Sequence, residues 1–398
     1  LNIIQAFKTQ IDKSEFPAKN ILEKLLANLY WQYFQQNRYK FYNRTKTLEK
    51  VDTEDFRSWD LQTLFNEINL HYKNSLQNQL LLKLEDLKKY DELLIVQDDS
   101  KTYRPTLFDF LAHNALEFYK TDENSITKQA YKFELDDEQF LSDATSFSTL
   151  EISSKDNSSL QLQALKLYQA LIQFHLKDTN PTALVDVDLE RLNFIKQKAV
   201  INDKESILLE TFKKSQNNYI DHEVSGLYAF EIANLLYLQS KAYKPVSNEA
   251  PRWKAKDALE ICETIMAKFP KSKGAFKCEN LRQNILSETL TIKTESYIPI
   301  QEFSKILVTY KNIPNLKFKV LNISEKQLER LNTSYSKQEQ LAVINKLKLV
   351  TDWNQDLKNE SDYQQHSTEV KIPKLDNGRY LFYTEYEDDR KTFAFSAV

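Results

Sequence analysis

Glycine is nearly absent from this chain, with 3 residues in 398 against a usual share of about 7 per cent. Phosphate-cradling loops, dinucleotide fingerprints and nucleophile elbows need glycine where backbone approaches a ligand or takes positive φ. None of these can be built from Gly226, Gly274 and Gly378, which argues against a nucleotide-dependent enzyme. No run of 18 apolar residues occurs, so no segment is expected to span a membrane. Charge of one sign is lacking too: 54 basic residues face 57 acidic ones, for a net charge of −3. That balance gives no support for nucleic acid or an anionic membrane as partner. Tryptophan is scarce, with 4 residues beside 21 Tyr and 23 Phe. Sugar binding favours exposed Trp and Tyr, so the aromatics are assigned to the core.

The two cysteines, Cys262 and Cys278, lie in one stretch, Trp253 to Leu290. Ala255, Ala258, Leu259, Cys262, Ile265, Met266 and Phe269 form one helical stripe, and Ala275, Cys278, Leu281 and Ile285 form another. Pro270 stops the first helix and Ser272 can cap the second. Cys262 lies eight residues before Pro270 and Cys278 eight after it. In an antiparallel helix pair such positions lie side by side. Axes ~8–10 Å apart leave inward Cα atoms roughly 4–5 Å apart, at the low end of what a disulfide spans. A structural disulfide is therefore expected, worth roughly 3 kcal/mol and implying an oxidising compartment. The alternative is a pair of buried free thiols, cysteine being among the most buried residue types.

A chain of 398 residues exceeds one ordinary core. Before residue 289 the apolar pattern has the helical period. Stripes recur through Leu1 to Asn43, Thr53 to Tyr72, Leu76 to Tyr90, Leu107 to Tyr119, Leu160 to Lys177, Leu184 to Gln197, Lys204 to Asn217 and Tyr228 to Tyr243. The stretch 121–159 is less regular, with Phe133, Leu135, Phe140 and Phe147 scattered among Ser, Thr and Asp. It reads as an excursion packed by its aromatics, and as a possible seam. From residue 289 the period becomes two, interrupted by two short helices at Glu325 to Leu331 and Lys337 to Leu347, and Asp376-Asn377-Gly378 marks a turn between strands. The expected architecture is α then β: an α-solenoid of degenerate tetratricopeptide-like hairpins over 1–288, then an antiparallel β-sandwich over 289–398. Leu1 stands first and the chain stops on an apparent strand, Phe393 to Val398. Both ends are expected to be cuts in a longer polypeptide.

Three constellations could carry chemistry. Asp109 and His113 are i, i+4 on one helix face, a spacing that suits a metal or a base with its orienting partner. Holding a helix is the plainer role. His222-Glu223 begins a zincin-like motif, but Gly226-Leu227 stand where the second histidine belongs. Asp186, Asp188 and Glu190 could approach calcium in a loop, or be a solvated helix start. No catalytic, cofactor-binding or metal-ligating residue is assigned, and no cofactor is expected.

Four pieces carry a family resemblance: Thr106 to Tyr119, Ala258 to Ile285, Val308-Thr309-Tyr310-Lys311-Asn312-Ile313, and Glu369 to Tyr380. A helical array followed by a Phe-Pro-Lys-Ser…Cys…Leu hairpin and then a β-sandwich resembles the N-terminal part of the α-2-macroglobulin-like proteins of Bacteroidota. Their tyrosine strand and closing hairpin would be the third and fourth pieces. The resemblance implies an exported protein, in the periplasm or associated with the outer membrane, with a possible lipid anchor outside this chain. It implies a protease-trapping inhibitor whose bait, and in some members a thioester, lie beyond Val398, so proteases or envelope proteins are the implied partners. Cys262 is followed by Glu263-Thr264 and Cys278 by Glu279-Asn280, so neither sits in a Cys-Gly-Glu-Gln-type motif. Two other readings are a solenoid subunit docking an outer-membrane transport or secretion assembly, and a polysaccharide lyase. The lyase needs a Tyr, His, Asn and Arg cleft.

Overall fold

The computed structural model describes residues 1–42, 55–122, 132–386 and 392–398. They divide into two compact units, Leu1–Val224 and Ser225–Val398. Helices come first and antiparallel sheets last, as the change of period at residue 289 implies. The units do not divide there. Three helices before the sheets belong with them, for reasons given below.

The first unit is helical. Its helices are α1 (Asn2–Lys13), α2 (Ala18–Tyr42), α3 (Leu61–Ser75), α4 (Gln79–Leu84), α5 (Ser100–Tyr103), α6 (Leu107–Tyr119), α7 (Ala144–Ser148), α8 (Leu160–His175), α9 (Thr182–Lys198) and α10 (Lys204–Asn218). Helix starts are fixed by side chains: Asp60 Oδ1 accepts from Thr63 N at 2.7 Å, and Thr106 and Asp109 form a reciprocal capping box on α6. Aromatic rings fill the interior among α2, α3 and α6. Trp31 meets Phe34, Phe65 and Phe118 edge or face at 5.3–5.9 Å, within the distance at which ring pairs attract.

The expected helix over Leu76 to Tyr90 is broken. Asn78 adopts φ 59°, α4 starts after it, and a 3-10 segment runs over Leu87–Leu93. The break shifts the phase, so Leu82 turns inward while Leu80 and Leu84 are 80 and 81 per cent exposed. The excursion, where described, packs as its aromatics suggest. Residues 123–131 of it lie outside the described residues. Gln169 Nε2 donates to the Phe147 and Leu150 carbonyls, at 2.9 and 2.7 Å, and Thr211 Oγ1 donates to the Leu141 carbonyl at 2.8 Å. The excursion is thus stitched to α8 and α10, and the division between units does not fall there.

The second unit starts with α11 (Ser225–Ser240), α12 (Lys254–Lys268) and α13 (Lys273–Leu286). The strands are β1 (Thr289–Lys293), β2 (Ser304–Lys311), β3 (Asn315–Asn322), β4 (Lys348–Asp356), β5 (His366–Ile372), β6 (Tyr380–Tyr386) and β7 (Thr392–Ala397). Lys391, expected to begin the last strand, lies outside the described residues. Between β3 and β4 come α14 (Glu325–Asn332) and α15 (Lys337–Ile344), each with a Ser-led capping box. One sheet has the order β1-β2-β5 and the other β4-β3-β6-β7. They share a core: Ile306, Val308, Val370 and Ile372 from the first meet Leu316, Phe318, Val320 and Phe382 from the second. The outer face of the larger sheet is covered in turn, Leu321, Leu381 and Tyr383 packing on Leu331, Val343 and Ile344 of the two helices. The Asp376-Asn377-Gly378 turn does not close a hairpin. It carries the chain from β5 in one sheet to β6 in the other, and Gly378 has no positive φ.

Two of the three glycines meet. A Cβ on Gly274 would lie 2.5 Å from the carbonyl carbon of Gly226, 2.7 Å from its oxygen and 2.8 Å from its Cα. The starts of α11 and α13 therefore touch backbone to backbone. A Cβ on Gly226 would meet the Ile265 Cγ2 methyl at 2.9 Å, and that side chain can move. Gly274→Ala is expected to lower stability by about 1–3 kcal/mol and Gly226→Ala by less, measured by thermal melting. Equal effects would contradict the backbone contact.

Candidate functional site: the joint between helices and sheets

The inward stripes of the α12–α13 hairpin are those read from the sequence. Ala258, Leu259, Cys262, Ile265, Cys278, Leu281 and Ile285 are buried in one cluster with Ala229 and Ala233 of α11. Cys262 and Cys278 face one another there as free thiols, wholly buried. The hydrogen bond that the Cys262 thiol donates to Cys278, together with burial, pushes Cys262 upward. The pair thus sits side by side, as counting from Pro270 requires, in a place from which solvent is excluded.

The end of this hairpin is held by the sheets. A helix leaves its last carbonyls without partners; here β2 supplies them. Lys311 Nζ donates to the Asn284 carbonyl at 2.9 Å. Asn312 Nδ2 donates to the carbonyls of Ile285 at 2.9 Å and Ser287 at 3.3 Å. Asn312 reaches them from a left-handed backbone, φ 58°, a conformation asparagine tolerates better than most residues. Burial, and then the charge of Lys241, push Lys311 down to about 8.

A second tie joins the loop before α12 to the loop before β5. Arg252 Nε donates to Asp362 Oδ2 at 2.9 Å and Arg252 Nη2 to Glu360 Oε2 at 2.9 Å. Gln364 Nε2 donates to the Arg252 carbonyl at 2.8 Å. His366 Nε2 pairs with Asp362 Oδ1 at 2.9 Å. Asp362 is buried, which alone would raise its pKa, but hydrogen bonds from His366 and Arg252 hold it below the usual carboxylate range. Helices α11–α13 and the two sheets thus form one body, which places the unit boundary at Val224/Ser225 rather than at residue 288.

The other sequence candidates lie in the first unit and are dispersed. Asp109 and His113 do not pair with one another. Asp109 Oδ1 meets His175 Nε2 of α8 at 2.7 Å, and His175 Nδ1 meets Asp178 at 2.7 Å. His113 Nδ1 lies 2.9 Å from Glu190 of α9, which also accepts from Lys120. Asp186, Asp188 and Glu190 stand within α9 rather than in a loop. Asp188 is buried against Arg191, whose guanidinium donates to the Ser142 carbonyl at 2.7 Å and lies 4.2 Å over the Phe147 ring. His222 Nδ1 accepts from Val224 N at 3.2 Å in a turn. Among the described residues no three His, Cys, Asp or Glu side chains could hold a metal ion. Two surface cavities beside α14, of about 450 and 950 Å³, contain no histidine in their linings.

Spacing along one helix shows none of these cross-helix partners. Lys311 and Asn312 were equally silent, since single polar residues carry no period. Their only signal was position, directly after the apolar strand that ends at Tyr310. No protein-family model matches the chain, and no curated protein does. No helix among the described residues is long and apolar enough to cross a membrane.

Two measurements follow from the buried groups. Titration of denatured, unreduced protein should find no free thiol if the expected bridge forms, whereas two thiols would leave Cys262 and Cys278 as core residues only. For His175, burial opposes the charged ring, but the hydrogen bonds and charges of Asp109 and Asp178 outweigh it and raise the pKa. Its contribution is then fully present below about pH 6.5 and lost as pH rises through the folded-state value. His175→Gln should lower the melting temperature most in acid, with a gap that narrows as pH rises through the raised folded-state pKa. A gap independent of pH would mean the pair is held neutral.

Proposed function

We propose that this chain is the scaffold and interaction region of a cell-envelope protein of the α-2-macroglobulin-like class, which as a whole traps proteases. In this reading the helices form a degenerate tetratricopeptide-like solenoid. The two sheets are the first macroglobulin-type sandwich, and the protein is exported to a compartment where the adjacent Cys262 and Cys278 thiols can be oxidised to a bridge. The observation that carries it is the joint: helix carbonyls capped by Lys311 and Asn312, with Arg252 locked to Asp362. Trapping after bait cleavage needs a stiff base against which other domains move, and a capped and charge-paired joint supplies stiffness. Nothing catalytic is assigned to the chain itself. A second reading, a subunit that docks an outer-membrane assembly, draws on the exposed Leu80, Leu84, Leu93 and Ile95 of the first unit, since exposed apolar side chains in number mark contact surfaces.

Several unrelated proteases, each incubated with the full-length protein, should cut one segment and produce a compact form of higher mobility on a native gel. Absence of any mobility change with every protease would sink the trapping reading. A stoichiometric outer-membrane complex recovered by pull-down would favour the second.

A further inference from the structure

The loop between α11 and α12 holds a β-branched residue in the left-handed region. Val246 has φ 70°, a region that L residues rarely occupy and that is a true outlier for a β-branched one. The Ser247 N–H donates to the Pro245 carbonyl at 2.9 Å, which makes Val246 the centre of a strained three-residue turn. The turn is fixed from both sides. Lys244 and Asn248 exchange two backbone hydrogen bonds at 3.0 Å, Asn248 Nδ2 donates to the Ala242 carbonyl at 2.9 Å, and Val246 N donates to Glu249 at 3.2 Å. All this holds an apolar side chain 94 per cent exposed.

The same loop ends in a layered group. Arg252 lies 6.0 Å from the Tyr243 ring and 5.1 Å from the Trp253 ring, and Lys256 Nζ lies 5.8 Å from the Trp253 ring. Trp253 is nonetheless 46 per cent exposed, and Leu238 at the end of α11 is 53 per cent exposed. Trp, Tyr and Arg are the residues that dominate protein interfaces. Their base is rigid, because Arg252 is anchored to Asp362 and Glu360. Arg252 is neutralised by Asp362 and Glu360, but lysine is in excess around it: between Leu238 and Asp257 stand Lys241, Lys244, Lys254 and Lys256 against Glu249 and Asp257.

We infer that the α11–α12 loop, with Val246 and Trp253 as apolar anchors and Lys244 and Lys256 at their rim, is a docking surface for an acidic segment of a partner protein that carries apolar side chains. Strain held in an ordered, exposed turn stabilises nothing within the chain and presents Val246 outward. Lysines that flank the anchors select the sign of the partner. The inference stands apart from the protease-trapping reading, since it uses only this loop and its supports.

The test uses the whole chain and a labelled synthetic peptide of about twelve residues, alternating glutamate with leucine or phenylalanine, followed by fluorescence anisotropy. A lysine-containing peptide of the same apolar pattern is the control. The acidic peptide should bind, and the lysine peptide should not. Trp253→Ala, and Lys244→Glu combined with Lys256→Glu, should each weaken binding about tenfold or more. Val246→Gly should raise the melting temperature, because glycine accepts positive φ, while it weakens peptide binding. Equal binding of both peptides, or affinity unmoved by the Trp253 and lysine substitutions, would overturn the inference. A Val246→Gly protein that melts no higher and binds as before would do so too.

Discussion

The backbone contact between Gly226 and Gly274 governs how the second unit is built. With no side chain at either position, α11 and α13 approach until Cβ substitution would bring atoms to 2.5 Å. Ala229, Ala233, Ala258 and Ala275 are buried beside this contact, the first three in one cluster with Cys262 and Cys278. Packing at this density tolerates little change in volume. A chain that uses glycine three times in its whole length has committed two of them to one crossing.

From that crossing the organisation runs outward. Helix α13, fixed at its start by the contact of Gly274 with Gly226, is fixed at its end by Lys311 and Asn312, so both of its ends are determined by partners outside the helix. Arg252 and Asp362 add a charged tie in which each partner satisfies the other. Removing Arg252 would leave the buried Asp362 carboxylate to His366 and the Gln364 N–H. In the first unit cohesion is of another kind. Aromatic rings fill the interior, and buried histidines such as His71 and His175 are paired with carboxylates across helices.

Much of the fold was legible in the sequence, because burial imposes a period. The stripes around Cys262 and Cys278 and the switch to strands at residue 289 follow from it, and the Ser272 cap follows from residue type. The period misled where a single residue reset the phase. Leu76, Leu80, Leu84 and Leu87 look like one stripe, yet Asn78 in the left-handed region turns two of them into solvent. Turn chemistry misled at Asp376-Asn377-Gly378, since a local signal marks a change of direction without saying which sheet receives the chain. The joint was out of reach for a different cause. Arg252 and Asp362 are 110 positions apart, and pairing at that range is decided by the folded arrangement.

The division at Val224/Ser225 bears on what this chain can exchange as a module. A β unit that needs a helical hairpin to receive its Lys311 and Asn312 side chains cannot be moved alone. Recombination at the visible change from helix to strand would leave Lys311 and Asn312 without their acceptors on one product and bare carbonyls on the other. The piece that holds together is α11–α13 with the seven strands and the two helices α14 and α15 between them, and boundaries drawn from secondary structure alone would cut through it.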